Sequence, residues 1–343
     1  MPAHLHSLPR ALGASVVAVA VAVSALGACG SSSPPASKPL AAAPEPAVSP
    51  PVGPGLPGRI LALRGAPEGV AITASGVVGV NVRQPNGLVT FPITDPNTRQ
   101  TVPLSGSARH LTLRGAQGPF LVPQESDDRF VEVDPATNRV VTSIAVGRQP
   151  HDAIAVGSGF FVADELANTV HVIKGGKVTR VVPAPLQPGG MAENADGTRA
   201  IVVGVRGRRV SEYKADGTLV GTANCGAGST HAVTGDGGVD WVADTNGGAV
   251  LGFKLTDSGP KQVATVKVGP QPYGLAYDGR RHTLWVTITG SNQLVGLGLN
   301  GSKVTKTTTV KTVRQPNTVA VDEATGQVVV TGSTTPGFLQ LIG

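Results

Sequence analysis

Residues 150–182 read PHDAIAVGSGFFVADELANTVHVIKGGKVTRVV. Four short apolar runs, 151–156, 159–163, 169–173 and 177–182, are separated by Gly-Ser-Gly, a polar loop and Gly-Gly. The runs are too short for helices, rich in β-branched and aromatic residues, and bounded by glycines that tolerate positive φ, so they predict a four-stranded antiparallel meander. The same grammar returns in HAVTGDGGVDWVADTNGGAVLGFKL (231–255) and GLAYDGRRHTLWVTITGSNQLVGLGL (274–299).

Working outward, the start of this unit recurs seven times, at Pro67, Ala108, Pro150, Pro188, Ser229, Pro272 and Pro316. Pro67 to Pro316 is 249 residues in six steps, with single spacings of 38 to 44. A mean near 41.5 falls in the window of roughly 40–50 residues occupied by propeller blades. The seventh copy offers only three strands, 317–321, 327–331 and 338–342, before the chain reaches Gly343. Its missing partner lies at the other end, where RILAL (59–63) precedes the first motif. The expected fold is therefore all-β: a seven-bladed β-propeller of four-stranded blades over 59–343, the N-terminal strand completing the last blade and closing the ring.

The first 58 residues follow other rules. Arg10 precedes an uncharged apolar run over 11–26, the length of a signal-peptide core and short for a membrane span of about 20 residues. It ends in Leu26-Gly27-Ala28-Cys29, which resembles the lipobox of bacterial lipoproteins. That resemblance implies a signal peptide over 1–28, a lipidated Cys29, and a domain anchored to the cytoplasmic membrane on its extracytoplasmic face. Residues 29–58, dominated by Ser, Pro and Ala, read as a tether, since such a composition buries too little apolar surface to fold. The Ala/Pro/Gly bias resembles that of proteins from high-GC actinobacteria. With Cys29 lipidated, Cys225 stands alone, and no internal disulfide supports the domain.

In a propeller the loop leading into the inner strand and the loop after the second strand share one mouth of the central channel. Three of the five histidines beyond the signal segment, His110, His151 and His231, fall just after motif starts. Glu68, Asp152 and Tyr273 occupy equivalent positions, and Asp164 and Asp244 follow second strands. Arg109, Asn317, Arg83, Glu125 and Glu165 are among the other mouth positions. Imidazoles and carboxylates converging from different blades suit ligand binding, a divalent cation or proton transfer. The eight-residue candidate site is Glu68, His110, His151, Asp152, Asp164, His231, Asp244 and Tyr273.

The segments TLWVTITGSNQLVGL and FFVADELANTVHVI resemble the Tyr-Val-Thr-Asn repeats of surface-layer propellers, a family that includes NHL and gluconolactonase-like members. Glu68-Gly69 is similar to the Glu-Gly-Pro motif of the gluconolactonase type, but Val70 replaces the proline. Trp241 and Trp285 sit where streptogramin-lyase propellers carry Trp-x-Thr-Glu, followed here by VAD and VTI. The resemblance implies blade packing rather than chemistry. Three functions stay open: a binding or scaffolding module for an envelope protein or glycan, a metal-dependent hydrolase or lyase on the same face, and a purely structural envelope protein. Walker, Rossmann and Cys-x-x-Cys patterns are absent. The net charge of +6 does not argue for nucleic acid in an exported protein, and Arg206, Arg208 and Arg209 read as a solvated basic loop, with attraction to lipid head groups or an acidic glycan as the alternative.

Overall fold

The structure, a computed structural model, describes residues 42–343. The signal segment over 1–28 and Cys29 lie outside the described residues. From Arg59 onward the chain forms seven four-stranded antiparallel sheets. Each sheet is a meander in chain order except the last, whose order is Arg59–Leu63, Gly337–Ile342, Val328–Gly332, Pro316–Val321. This is the expected seven-bladed β-propeller, closed by its N-terminal strand.

Blade 3 shows how closely the repeat was legible: its strands are Pro150–Val156, Gly159–Asp164, Thr169–Lys174 and Lys177–Pro183. The inner three are buried along most of their length because they face neighbouring blades on both sides. The outermost strand is largely exposed and carries Lys177, Thr179 and Arg180. The same distribution holds in blade 6, whose outer strand Lys303–Lys311 is almost all Lys, Thr and Val. Charged, branched outer strands discourage edge pairing with other molecules.

The core is divided into seven apolar clusters, one in each gap between adjacent blades. The closing strand belongs to one of them. Arg59 to Leu63 pair in register with Leu341 to Gly337, and Leu61 and Leu63 pack with Phe91, Val329 and Leu339.

One irregularity repeats and positions the candidate site. In six blades the pairing of inner and second strands slips just after the motif start, as between Pro67 and Val70, Pro150 and Asp152, and Ser229 and Ala232. A bulge turns side chains out of the normal in-out alternation. The bulged residues include Glu68, His151, His231, Tyr273 and Asn317, which are thereby aimed at the channel axis. In blade 2 the inner strand is only Thr112–Leu113, so Arg109 and His110 precede the ladder altogether. Crowding at the axis explains the glycines between them: a Cβ on Gly190 would lie 2.6 Å from the His231 Cα, and one on Gly274 2.4 Å from the Asn317 carbonyl oxygen.

Candidate functional site

Three imidazoles from three blades meet at the upper channel mouth. His110 stacks face to face on His231, with centroids 4.5 Å apart and planes 9° from parallel. His151 lies against His110 at 4.6 Å, and the Tyr273 ring meets His231 edge-on at 4.3 Å. The stack is anchored from below: His110 Nδ1 is 3.2 Å from Asp152 Oδ2, and Asp152 also accepts from the amides of Met191 and Ala153, each at 2.8 Å. The His110 carbonyl accepts from Asn81 Nδ2 at 2.6 Å.

Around this stack runs a ring of paired charges. His151 Nδ1 is 2.7 Å from Glu125 Oε1 and 3.4 Å from Glu165 Oε2. Glu165 further accepts from the side-chain amides of Gln149 and Gln187, both at 2.6 Å. Arg109 Nε lies 3.3 Å from Glu125 Oε2, and Glu68 is held by Arg83 and by Asn317 Nδ2 at 3.2 Å.

The electrostatics follow from these contacts. Burial works against charge on His151, but the hydrogen bonds and charges of Glu125 and Glu165 outweigh it and push its pKa up to about 10. Burial likewise opposes charge on Glu165, yet His151 and Gln187 bring it down to about 2, and Glu125 is lowered by His151 and Arg109. His231 moves the other way: burial first, then the charges of His110, His151 and Arg109, hold it well below the usual histidine range. One histidine of the stack thus keeps its proton while another resists protonation. His231 Nδ1 is buried with no hydrogen-bond partner among the described residues.

Of the eight expected site residues, six are brought together: Glu68, His110, His151, Asp152, His231 and Tyr273. Asp164 and Asp244 are not. Asp164 is fully buried and bonded to His171 and Thr169 within its own blade, and Asp244 Oδ1 accepts from the amides of Ala227, Gly228 and Gly247. Asp164 ties the end of its second strand to the third, and Asp244 fastens loops to the end of its own second strand. The site gains Arg109, Glu125 and Glu165, which stood among the mouth positions but not in the candidate site, and the glutamines Gln149, Gln187 and Gln315, which sequence reasoning missed. A signal for these existed: Gln-Pro recurs at 149–150, 187–188, 271–272 and 315–316, and all four glutamines have φ between 56° and 59°. Non-glycine residues at positive φ mark places worth inspecting for function.

The mouth is covered. Residues 42–58, within the expected tether, hold no strand or helix, yet they lie on the propeller. Glu45 Oε2 reaches to 3.8 Å from Arg109 Nη1, and Pro44 is buried. Beneath Glu45 and Pro46 is a cavity of about 170 Å³ bounded by Arg83, Arg109, His231 and Tyr273. A larger cavity, about 430 Å³, opens at the other end of the channel. Its walls are mainly aliphatic strand ends such as Val70, Leu275 and Val319, so volume alone does not locate the chemistry.

Glu125, His151 and Glu165 offer ligand atoms within 4.8 Å of one another, the one such group of His, Cys and acidic residues among the described residues. The three could hold a divalent cation, but only in competition with the contacts they already make. His151 holds a proton between the carboxylates, and Arg109, Gln149 and Gln187 already occupy the carboxylate oxygens. A metal would have to displace that proton.

No sequence-family profile and no curated protein matches this chain. Solved structures do. Virginiamycin B lyase from Staphylococcus aureus superposes with a TM-score of 0.69 at 12% identity, covering 83% of this chain and 99% of that one. A streptogramin B lyase gives 0.70 at 10% identity over 82% and 97%, and Kuenenia stuttgartiensis hydrazine synthase 0.63 at 15% over 85% and 97%. At such identities the likeness establishes the seven-bladed fold and no activity.

Proposed function

We propose that this protein is a binding module, anchored by lipid on Cys29 at the extracytoplasmic face of the cytoplasmic membrane, whose ligand meets the upper channel mouth. One observation carries the reading. The carboxylates around His151 are already engaged, so the ring of charges is organised before any ligand arrives, and the guanidinium of Arg109, with 32% of its side chain exposed, lies between Glu125 and Glu45 where a ligand's anionic group could take the place of Glu45. Preorganised polar groups in a recess favour binding because little has to be ordered when the ligand docks. The module would serve an envelope protein or glycan presenting an anionic group.

The test uses the full chain carrying Glu45→Gln, which leaves Arg109 without its acidic neighbour from the covering segment. Thermal unfolding with glutamate and with inorganic phosphate should show a rise in Tm that disappears in Glu45→Gln/Arg109→Gln. A ligand at 100 times its Kd adds about 2.7 kcal/mol to the native state. No rise with either anion overturns the reading.

A second reading, a metal-dependent hydrolase or lyase, is favoured by the Glu125, His151 and Glu165 group and by the fold shared with streptogramin lyases. It predicts a rise in Tm at pH 7 with Ca²⁺, Mg²⁺, Mn²⁺ or Zn²⁺ that EDTA reverses and Glu125→Gln abolishes. The paired state of these carboxylates predicts no such rise.

A further inference from the structure

The segment over the mouth is gripped through its backbone. Gln315 Nε2 donates to the Ala47 carbonyl at 2.6 Å, and Gln315 Oε1 accepts from the Ser49 amide at 3.1 Å. One amide side chain thus bonds residues i and i+2 of an extended chain, as a residue of a neighbouring parallel strand does. Thr289 repeats the grip, accepting from the Ala47 amide at 3.2 Å and, through its carbonyl, from Ser49 Oγ at 2.6 Å. Asn292 Nδ2 donates to the Pro50 carbonyl at 2.8 Å and Arg314 Nε to the Ser49 carbonyl at 3.2 Å. These groups are themselves fixed: Asn292 Oδ1 accepts from the Gln315 amide at 3.1 Å, and Thr289 Oγ1 donates to the Gln271 carbonyl at 2.9 Å.

Toward the axis the recognition changes to side chains. Pro44 is buried, Glu45 faces Arg109, and Pro46 roofs the cavity next to Tyr273 and His231. The segment's apolar residues contribute little beyond Pro44: Val48 is 89% exposed. The contacts therefore read an extended backbone, stiffened by prolines at 44, 46 and 50, with one acidic side chain, Glu45, set 3.8 Å from Arg109.

We propose that the upper mouth is a receptor for an extended, acidic, proline-containing peptide, and that residues 43–50 fill it in cis. The assignment rests on the binding-module reading and names its ligand class. A partner's peptide of the Ala-Pro-Glu-Pro kind competes with the resident segment. With only residues 51–58 joining that segment to the first strand, its effective concentration is of millimolar order, so weak trans ligands are excluded while it is docked.

The test uses the full chain with residues 43–50 replaced by an equally long Gly/Ser stretch, and a fluorescent peptide AAPEPAVSP, the sequence of residues 42–50. Anisotropy should show saturable binding to the emptied chain and binding about ten-fold weaker or less to the intact one. Gln315→Ala and Arg109→Gln in the emptied chain should each weaken it about ten-fold. No saturable binding to an emptied chain whose unfolding temperature matches the intact protein overturns the proposal. Glutamate and phosphate titrations of the same emptied chain separate the two claims: an Arg109-dependent response without peptide binding removes only the peptide, and silence from all three removes both. Should the emptied chain not fold, hydrogen exchange of the intact protein decides. The Ala47 and Ser49 amides should be protected and lose protection in Gln315→Ala; exchange at free-peptide rates in the intact protein sinks the idea.

Discussion

His110 and His231, from blades 2 and 5, lie face to face with 4.5 Å between ring centroids. The contact has an electrostatic consequence. A proton on His231 is opposed by burial and by the charges of His110, His151 and Arg109, so its folded pKa lies well below the value of about 6.5 expected in the unfolded chain. Below about pH 6.5 the unfolded chain takes up a proton that the folded site refuses, and stability falls as pH drops. His231→Phe keeps a ring in the stack and titrates nothing. Its Tm should decline less than that of the natural protein between pH 6.5 and 4.5, and parallel declines would refute the assignment.

His151 gives the opposite limb. With its pKa raised to about 10, its contribution is fully present below the unfolded value of about 6.5 and is lost as pH climbs toward 10. The Cε1 proton of His151, followed by NMR, should titrate near pH 10. In Glu125→Gln/Glu165→Gln the midpoint should fall by several units, because burial then acts alone. A midpoint near 6.5 in the natural protein would contradict the paired geometry.

Ring closure should be felt one residue at a time. Leu63 is 5% exposed in the cluster shared by blades 7 and 1, whereas Ile60 on the same strand is 38% exposed. Leu63→Ala should cost about 2–5 kcal/mol in urea unfolding. Ile60→Ala should stay within about 0.5 kcal/mol. Equal costs would mean that the strand is docked without its inward face being packed.

Cys225 should be inert. It is fully buried, and burial pushes its thiol up to about 12. A thiol-reactive dye should label it only in denaturant, with native labelling at least about a hundred-fold slower, since the reactive species is the thiolate. Rapid labelling of the native protein would expose local opening of the strand end at Asn224.

The sequence by itself determined the ring. A spacing near 41.5 residues, strands of period two and an orphan RILAL segment were enough to specify seven blades and their closure, because a blade buries its faces only against another blade. It also placed six mouth residues on one axis, since equivalent positions in a closed repeat must converge. Only the tertiary structure decided how those residues pair. Asp164 and Asp244 share the motif position of true mouth residues, but a bond to His171 and three loop amides turn them to structural use. The choice of His151 as the proton holder depends on Glu125, Glu165 and two glutamines meeting at one ring nitrogen and its neighbours, distances that no single-chain periodicity encodes. The covering segment was invisible for a related reason. Its composition carries no strand or helix period, and its hold on the mouth comes from Thr289, Asn292 and Gln315, residues more than 240 positions away that reach it only once the ring has closed.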